Sequence, residues 1–137
     1  MVAKLVTWSI TVSAVAALSL VGGAGKGPAD DPAETLERML VAIGSGEYAV
    51  ACEMTVIDGT PVEDADATGC AERLRIFAEG MSPSDLGRLR EVEVEPVSAS
   101  GSTIAITGSR VAGAPAAYAQ SVFDLVRLNG KWYVVGT

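Results

Sequence analysis

The sequence predicts an α+β domain behind an N-terminal membrane or signal helix. Three observations predict it. Residues 5–21 form an uncharged apolar run, residues 31–79 carry apolar side chains at helical spacing, and from Arg90 onward the apolar period drops to two. Helices first and strands afterwards argue for helices packed on one face of an antiparallel sheet.

Leu5 to Gly25 contains no charge, follows a single Lys4 and ends in Gly22-Gly23-Ala24-Gly25. A short basic start, an apolar run and a small-residue exit mark an export signal or an N-terminal anchor. A spanning helix needs about 20 apolar residues and a signal core roughly 7–15, so a retained anchor and a cleaved signal both fit. Lys4 before the run, with Asp30 and Asp31 after it, agrees with a cytoplasmic start. Residues 1–26 are therefore expected to be the signal or anchor, 27–30 a linker, and 31–137 an extracytoplasmic domain. That domain is either tied to the membrane through residues 5–25 or secreted.

Asp31-Pro32-Ala33-Glu34 opens the first helix. Asp31 can cap, Pro32 suits the first helical position, and Glu34 falls where a capping box wants it. Leu36, Met39, Leu40 and Ile43 follow as the inward stripe, and Gly44 or Gly46 ends the helix. A second helix is expected from Glu47 to about Thr55, with Tyr48, Ala51 and Cys52 along one face. Asp58-Gly59-Thr60-Pro61 signals a turn. The third helix runs from Asp64 to Glu79 with Ala67, Cys70, Ala71, Leu74 and Phe77 inward, and Ser82-Pro83-Ser84-Asp85 caps a further single turn.

Glu91 to Glu95 alternates strictly, valines inward and carboxylates outward. A turn at Ala99-Ser100-Gly101 leads to Thr103–Thr107 as its expected antiparallel partner. A loop rich in Ala, Gly and Pro covers 112–117. The last strands, Gln120–Leu128 and Lys131–Gly136, are joined by Asn129-Gly130, the strongest short hairpin signal. The expectation is about three helices on a curved, cone-like, four-stranded antiparallel meander.

Composition narrows the chemistry. The formal net charge is −7, and discounting Lys4 and Lys26 makes the rest more acidic still. With no basic patch, nucleic-acid binding is excluded. The chain has no histidine, which removes the usual general base, the usual metal ligand and every Ser-His or Cys-His nucleophile. Two cysteines and scattered carboxylates make a poor zinc set, so neither metal nor cofactor is expected. Glu91, Glu93 and Glu95 are about 7 Å apart along one strand face, too far to share an ion, and Asp58, Glu63, Asp64 and Asp66 do not have calcium-loop spacing. In an oxidising compartment Cys52 and Cys70 read as a disulfide pinning helix two to helix three, with two buried free thiols as the alternative.

Two segments carry a resemblance. Residues 31–52 run as a helix, a Gly-containing break and a second helix with small residues; residues 121–136 run as a strand, a tight Asn-Gly turn and a Lys-Trp-Tyr-Val-Val strand. Together they resemble the nuclear transport factor 2-like superfamily, the SnoaL and ketosteroid isomerase fold, especially its small exported bacterial members. The chain departs from that pattern in showing no obvious hairpin between helices two and three. The resemblance implies a cone, which enzymes of the superfamily line with Asp, His or Tyr. Here Asp124, in phase with Val122 and Val126, is the candidate base if it faces the interior, where desolvation would raise its pKa. The plainer alternative leaves it solvated or paired with Arg110 or Arg127. Tyr48, Tyr118 and Tyr133 read as packing residues, and Trp132 as the core anchor of the last strand.

The functional expectation is a non-enzymatic domain for interaction or small-ligand binding, taking a small apolar ligand or a protein partner and able to form a homodimer through the outer sheet face. The alternatives are a small isomerase- or cyclase-type enzyme using Asp124, and an accessory subunit of a membrane assembly.

Overall fold

The computed structural model describes residues 27–62 and 64–136, with backbone alone at 64–66. The expected signal or anchor at 5–25 lies outside the described residues. Among the described residues, no helix is long and apolar enough to cross a membrane.

Helix α1 spans Pro32–Gly44 and begins as expected, with the Asp31 carboxylate accepting from Glu34 N at 3.1 Å and Pro32 in the first turn. Just before it, the buried Thr35 hydroxyl accepts from Ala29 N at 2.9 Å, and Ala29 O accepts from Trp132 N at 2.9 Å. The chain is thereby fixed at the start of the final strand. Helix α1 ends in close contact with a later helix. A Cβ on Gly44 would stand 2.7 Å from Leu86 O and 2.8 Å from Leu89 Cβ, so only glycine permits the approach.

Helix α2 spans Tyr48–Cys52 and stops earlier than its sequence suggests. After it the chain forms a hairpin of strands β1 (Thr55–Ile57) and β2 (Thr60–Pro61), with Val56 opposite Pro61 and Ile57 opposite Thr60. Asp58 and Gly59 take φ of 54° and 80°, the pair of left-handed residues that a two-residue hairpin turn requires. The expected second helix to Thr55 and the simple turn at 58–61 are thus corrected, and a hairpin not obvious from the residues is present between helices two and three. Thr55, β-branched, donates its hydroxyl to Ala51 O at 3.0 Å, and Val62 N donates to Thr55 O at 3.0 Å.

Helix α3 covers Asp64–Glu79. Helix α4 covers Pro83–Leu89, capped by the Ser82 hydroxyl, which accepts from Asp85 N at 3.1 Å; the expected single turn extends to seven residues. Four α-helices are present among the described residues, not about three.

Strand β3 is Glu93–Val94, β4 Thr103–Thr107, β5 Val111–Ala112, β6 Val122–Leu128 and β7 Lys131–Val135. The main sheet is five-stranded in the order β2-β1-β7-β6-β4. Three of the four expected meander strands are in it, with Ile104 opposite Leu125 and Leu125 opposite Val134. Asn129 and Gly130 take φ of 53° and 82°, as the Asn-Gly hairpin demands.

Two expectations fail. The strand at 91–95 does not pair with 103–107; Glu93 and Val94 pair with Ala112 and Val111 in a separate two-stranded sheet. Val94 N also donates to Glu37 Oε1 at 2.9 Å, which ties this edge to α1 instead. Nor is the sheet purely antiparallel, because β1 runs parallel to β7, with Thr55 beside Val134. Alternation specifies a strand with one buried face but not its partner.

The core lies between α1, α4 and the inner sheet face. Leu36, Leu89, Ile106, Leu125 and Trp132 are at most 2% exposed. The space between them is therefore packed with side chains and leaves no room for water against them.

Candidate functional site

Strand alternation sorts the sheet residues. Phe123 and Leu125 of β6 face the core with Ile104 and Ile106 of β4, so Val122, Asp124 and Val126 share the outer face. Asp124 is exposed and stands opposite Ala105. It lies in phase with its apolar neighbours, but on the side away from the helices, so it is not positioned as a base within a cone. Neither suggested partner reaches it. Arg110 pairs with Glu95 at 3.6 Å, and the Arg127 guanidinium lies 5.7 Å over the Trp132 ring on the opposite face.

The tyrosines pack. Tyr118 donates its hydroxyl to Met81 Sδ at 3.8 Å and sets its ring 6.1 Å from Phe123. Burial, followed by the negative charge of Asp85, pushes its pKa up to about 12, which makes it a poorer acid than a free tyrosine. Trp132 is the core anchor of β7. Among the described residues no cluster of His, Cys, Asp or Glu could hold a metal ion.

A disulfide joins Cys52 of α2 to Cys70 of α3, with their Cα atoms 6.1 Å apart, and neither cysteine is free. Both are buried. This bond fixes α3 against α2, beside an open apolar feature of the domain. Ala78 and Cys70 of α3 are buried, yet Ile76 and Phe77 remain 57% and 48% exposed. The expected inward stripe of α3 is therefore only half inward: Cys70 reaches the interior, while Phe77 overhangs an unfilled space.

That space is a cleft of about 210 Å³. It is lined by Met39 of α1, by Leu74, Phe77 and the disulfide-bonded Cys70 of α3, and by Thr55 and Ile57 of β1. Gly136, just past β7, forms the remaining edge. A Cβ there would come within 2.9 Å of Thr55 Cγ2 and 3.4 Å of Ile57 Cγ1, so its missing side chain keeps this side uncrowded. A second depression of about 340 Å³ adjoins it, lined by Asp58, Thr60, Pro61, Val62 and Gly69. Ile57 and Arg73 line both and join them into one groove along the β1–β2 hairpin.

Sequence reasoning missed this site. The available signal was Asp58-Gly59, which places a hairpin next to α3 and so requires α3 to stand beyond the sheet edge. The arrangement has the apolar lining and few polar groups of a small binding site, and it shows no nucleophile with an adjacent base among the described residues. Comparison with protein-family models, with curated proteins and with solved structures finds no match to this chain.

Proposed function

We propose that this chain is a non-enzymatic binding domain of the nuclear transport factor 2-like type, working outside the cytoplasm, that takes a small apolar molecule between α3 and the β1–β7 edge. The observation that carries the reading is the stand-off of α3. An apolar cleft lined by Met39, Ile57, Leu74 and Phe77 stays open while the core beside it is filled. Support for the superfamily reading comes from the element order. A helix pair, a short hairpin, a third helix and then the remaining strands succeed one another, and the hairpin supplies the feature whose absence was the chain's departure from the pattern. Support for export comes from the apolar leader and from a disulfide, a bond that persists in oxidising compartments. An isomerase-type activity loses its carboxylate, because Asp124 faces outward.

The test is nuclear magnetic resonance with hexanol as a neutral apolar probe. The Phe77 ring and the Met39, Ile57 and Leu74 methyls should shift together and saturably, while Val122 and Val135 of the outer face stay unmoved. Shifts spread evenly over both faces would end the cleft reading. For export, the denatured mass of protein recovered from an envelope should match loss of the leader or retention of a membrane-bound full chain; an intact chain in the soluble cytoplasmic fraction would count against it.

A second role rests on the outer sheet face. Val122 and Val135 are 58% and 42% exposed there. A homodimer through this face would cover them, and sedimentation equilibrium with Val122→Lys checks it: the variant should be a monomer where the native chain is a dimer.

A further inference from the structure

We infer that the groove beside α3 is selective for an apolar monocarboxylate, whose acid group is held by Arg73 and whose body lies in the cleft over Ile57, Leu74 and Phe77. This rests on the binding reading above and adds the chemical class of ligand.

Two arginines on α3 have opposite surroundings. Arg75 is closed off by its own neighbours, with its guanidinium bridging Glu72 one turn before and Glu79 one turn after. Arg73, two residues earlier, makes no ion pair among the described residues. Its position differs correspondingly. A Cβ on Gly69 would stand 3.7 Å from an Arg73 guanidinium nitrogen, so that side chain lies back along the helix over a residue that offers no bulk. There it borders both halves of the groove.

Elsewhere in this acidic chain the cations are mostly occupied. Arg38 pairs with Glu34, Arg110 with Glu95, Lys131 with Asp30, and Arg90 donates to Gly44 O at 3.0 Å. A guanidinium left open at the junction of an apolar cleft and a polar depression offers two parallel donors to a carboxylate, while the cleft removes the attached hydrocarbon from water. A neutral alcohol gains only the second contribution. An amine loses the first and meets like charge.

Two neighbours modulate the anchor. The Thr60 hydroxyl borders the same depression and can donate to the bound acid. Asp58 borders it as well, exposed at the hairpin turn, and its charge opposes any anion. Arg73 is itself exposed, so solvent screens its pull, and its advantage is modest and salt-dependent.

The experiment compares hexanoate, hexanol and hexylamine by the same resonance shifts. The protein is used as recovered from an expressing host, held in nanodiscs where its leader is retained. Hexanoate should bind about tenfold more tightly than hexanol, a difference of about 1.4 kcal/mol. Hexylamine should be weakest. Arg73→Met, which keeps the apolar stem, should bring hexanoate down to the level of hexanol and leave hexanol unchanged. Asp58→Asn should tighten hexanoate alone. Equal affinity for acid and alcohol, or an acid preference that survives Arg73→Met, would overturn the inference while leaving the cleft intact. Failure of all three probes to move Phe77, Leu74 and Ile57 would instead remove the binding reading itself, and this inference with it.

Discussion

In the body of the domain, Leu36, Leu40, Leu89, Ile106, Leu125 and Trp132 from α1, α4 and the β4–β6–β7 sheet sit in one buried cluster. Across the molecule, α3 contributes no fully buried side chain to that cluster; Leu74 only packs against its edge. The helix is joined instead to α2 through Cys52–Cys70. One region is held by area removed from water, the other by a covalent tie that limits where the helix can go. The difference explains why α3 keeps apolar side chains open. A helix secured by a bond does not need to close its apolar face, so Ile76 and Phe77 can stay exposed without the helix drifting away.

The contrast between the two regions is tested most severely at Trp132. Trp132→Ala should destabilise the whole domain by about 4 kcal/mol, since an indole fully buried in a filled core leaves a large cavity. Denaturant unfolding followed by circular dichroism checks this, and a loss below about 1 kcal/mol would mean the body is not held by its core. Replacing both cysteines by serine should cost about 3 kcal/mol in the chain-entropy picture for a loop closed over 18 residues. Its signature is regional: amide exchange should quicken across α3 well before α1 or β7, whereas uniform quickening would erase the distinction between the two regions.

Smaller effects refine the contrast. Ser82→Ala removes the side-chain cap of α4 and should cost about 1 kcal/mol, read by thermal melting. Alkali should act on the body through Tyr118. Its folded pKa of about 12 lies above the ordinary value of about 10, so folding is unaffected below pH 10 and stability falls as pH rises from 10 towards 12. The loss should stay below the roughly 1.4 kcal/mol per pKa unit of a fully buried group, because the ring is partly exposed. Tyr118→Phe should remove that slope in a pH series of melts. Asp124→Asn should change stability by less than about 0.5 kcal/mol, as expected for an exposed outer-face residue. A large gain on removing its charge would mean that it is held in an apolar site after all.

The legible parts of this fold are those written in a few adjacent residues. Asp31-Pro32-Ala33-Glu34 starts α1 because capping needs only one side chain and the amides three residues on. Asn129-Gly130 makes its hairpin because the two residues alone satisfy the turn's dihedrals. Asp58-Gly59 carries the same instruction, but its strands are short and one ends in Pro61, so the flanking pattern does not announce them. The Cys52–Cys70 pairing was legible too, from an even count behind an export-type leader.

The candidate site was not legible in this way. A period of two places Val122, Asp124 and Val126 on one face of β6, but it does not say which face meets the helices. That was decided by Phe123 and Leu125 packing with Ile106. The partner of Glu93–Val94 and the parallel seating of β1 beside β7 join segments distant in the chain, and no local spacing encodes them. Helical spacing does separate Arg75, with Glu72 and Glu79 one turn away, from Arg73, which has Gly69, Cys70, Ile76 and Phe77 at those positions; only the fold sets Arg73 beside the groove.

Residue identity and neighbours within a few positions were enough to set the helix starts, the closing hairpin, the disulfide and the want of any histidine chemistry. The strand order, the outward face of Asp124 and the cleft under α3 were settled only once the chain had packed. These depend on which apolar surfaces bury one another, a choice made by the whole chain at once.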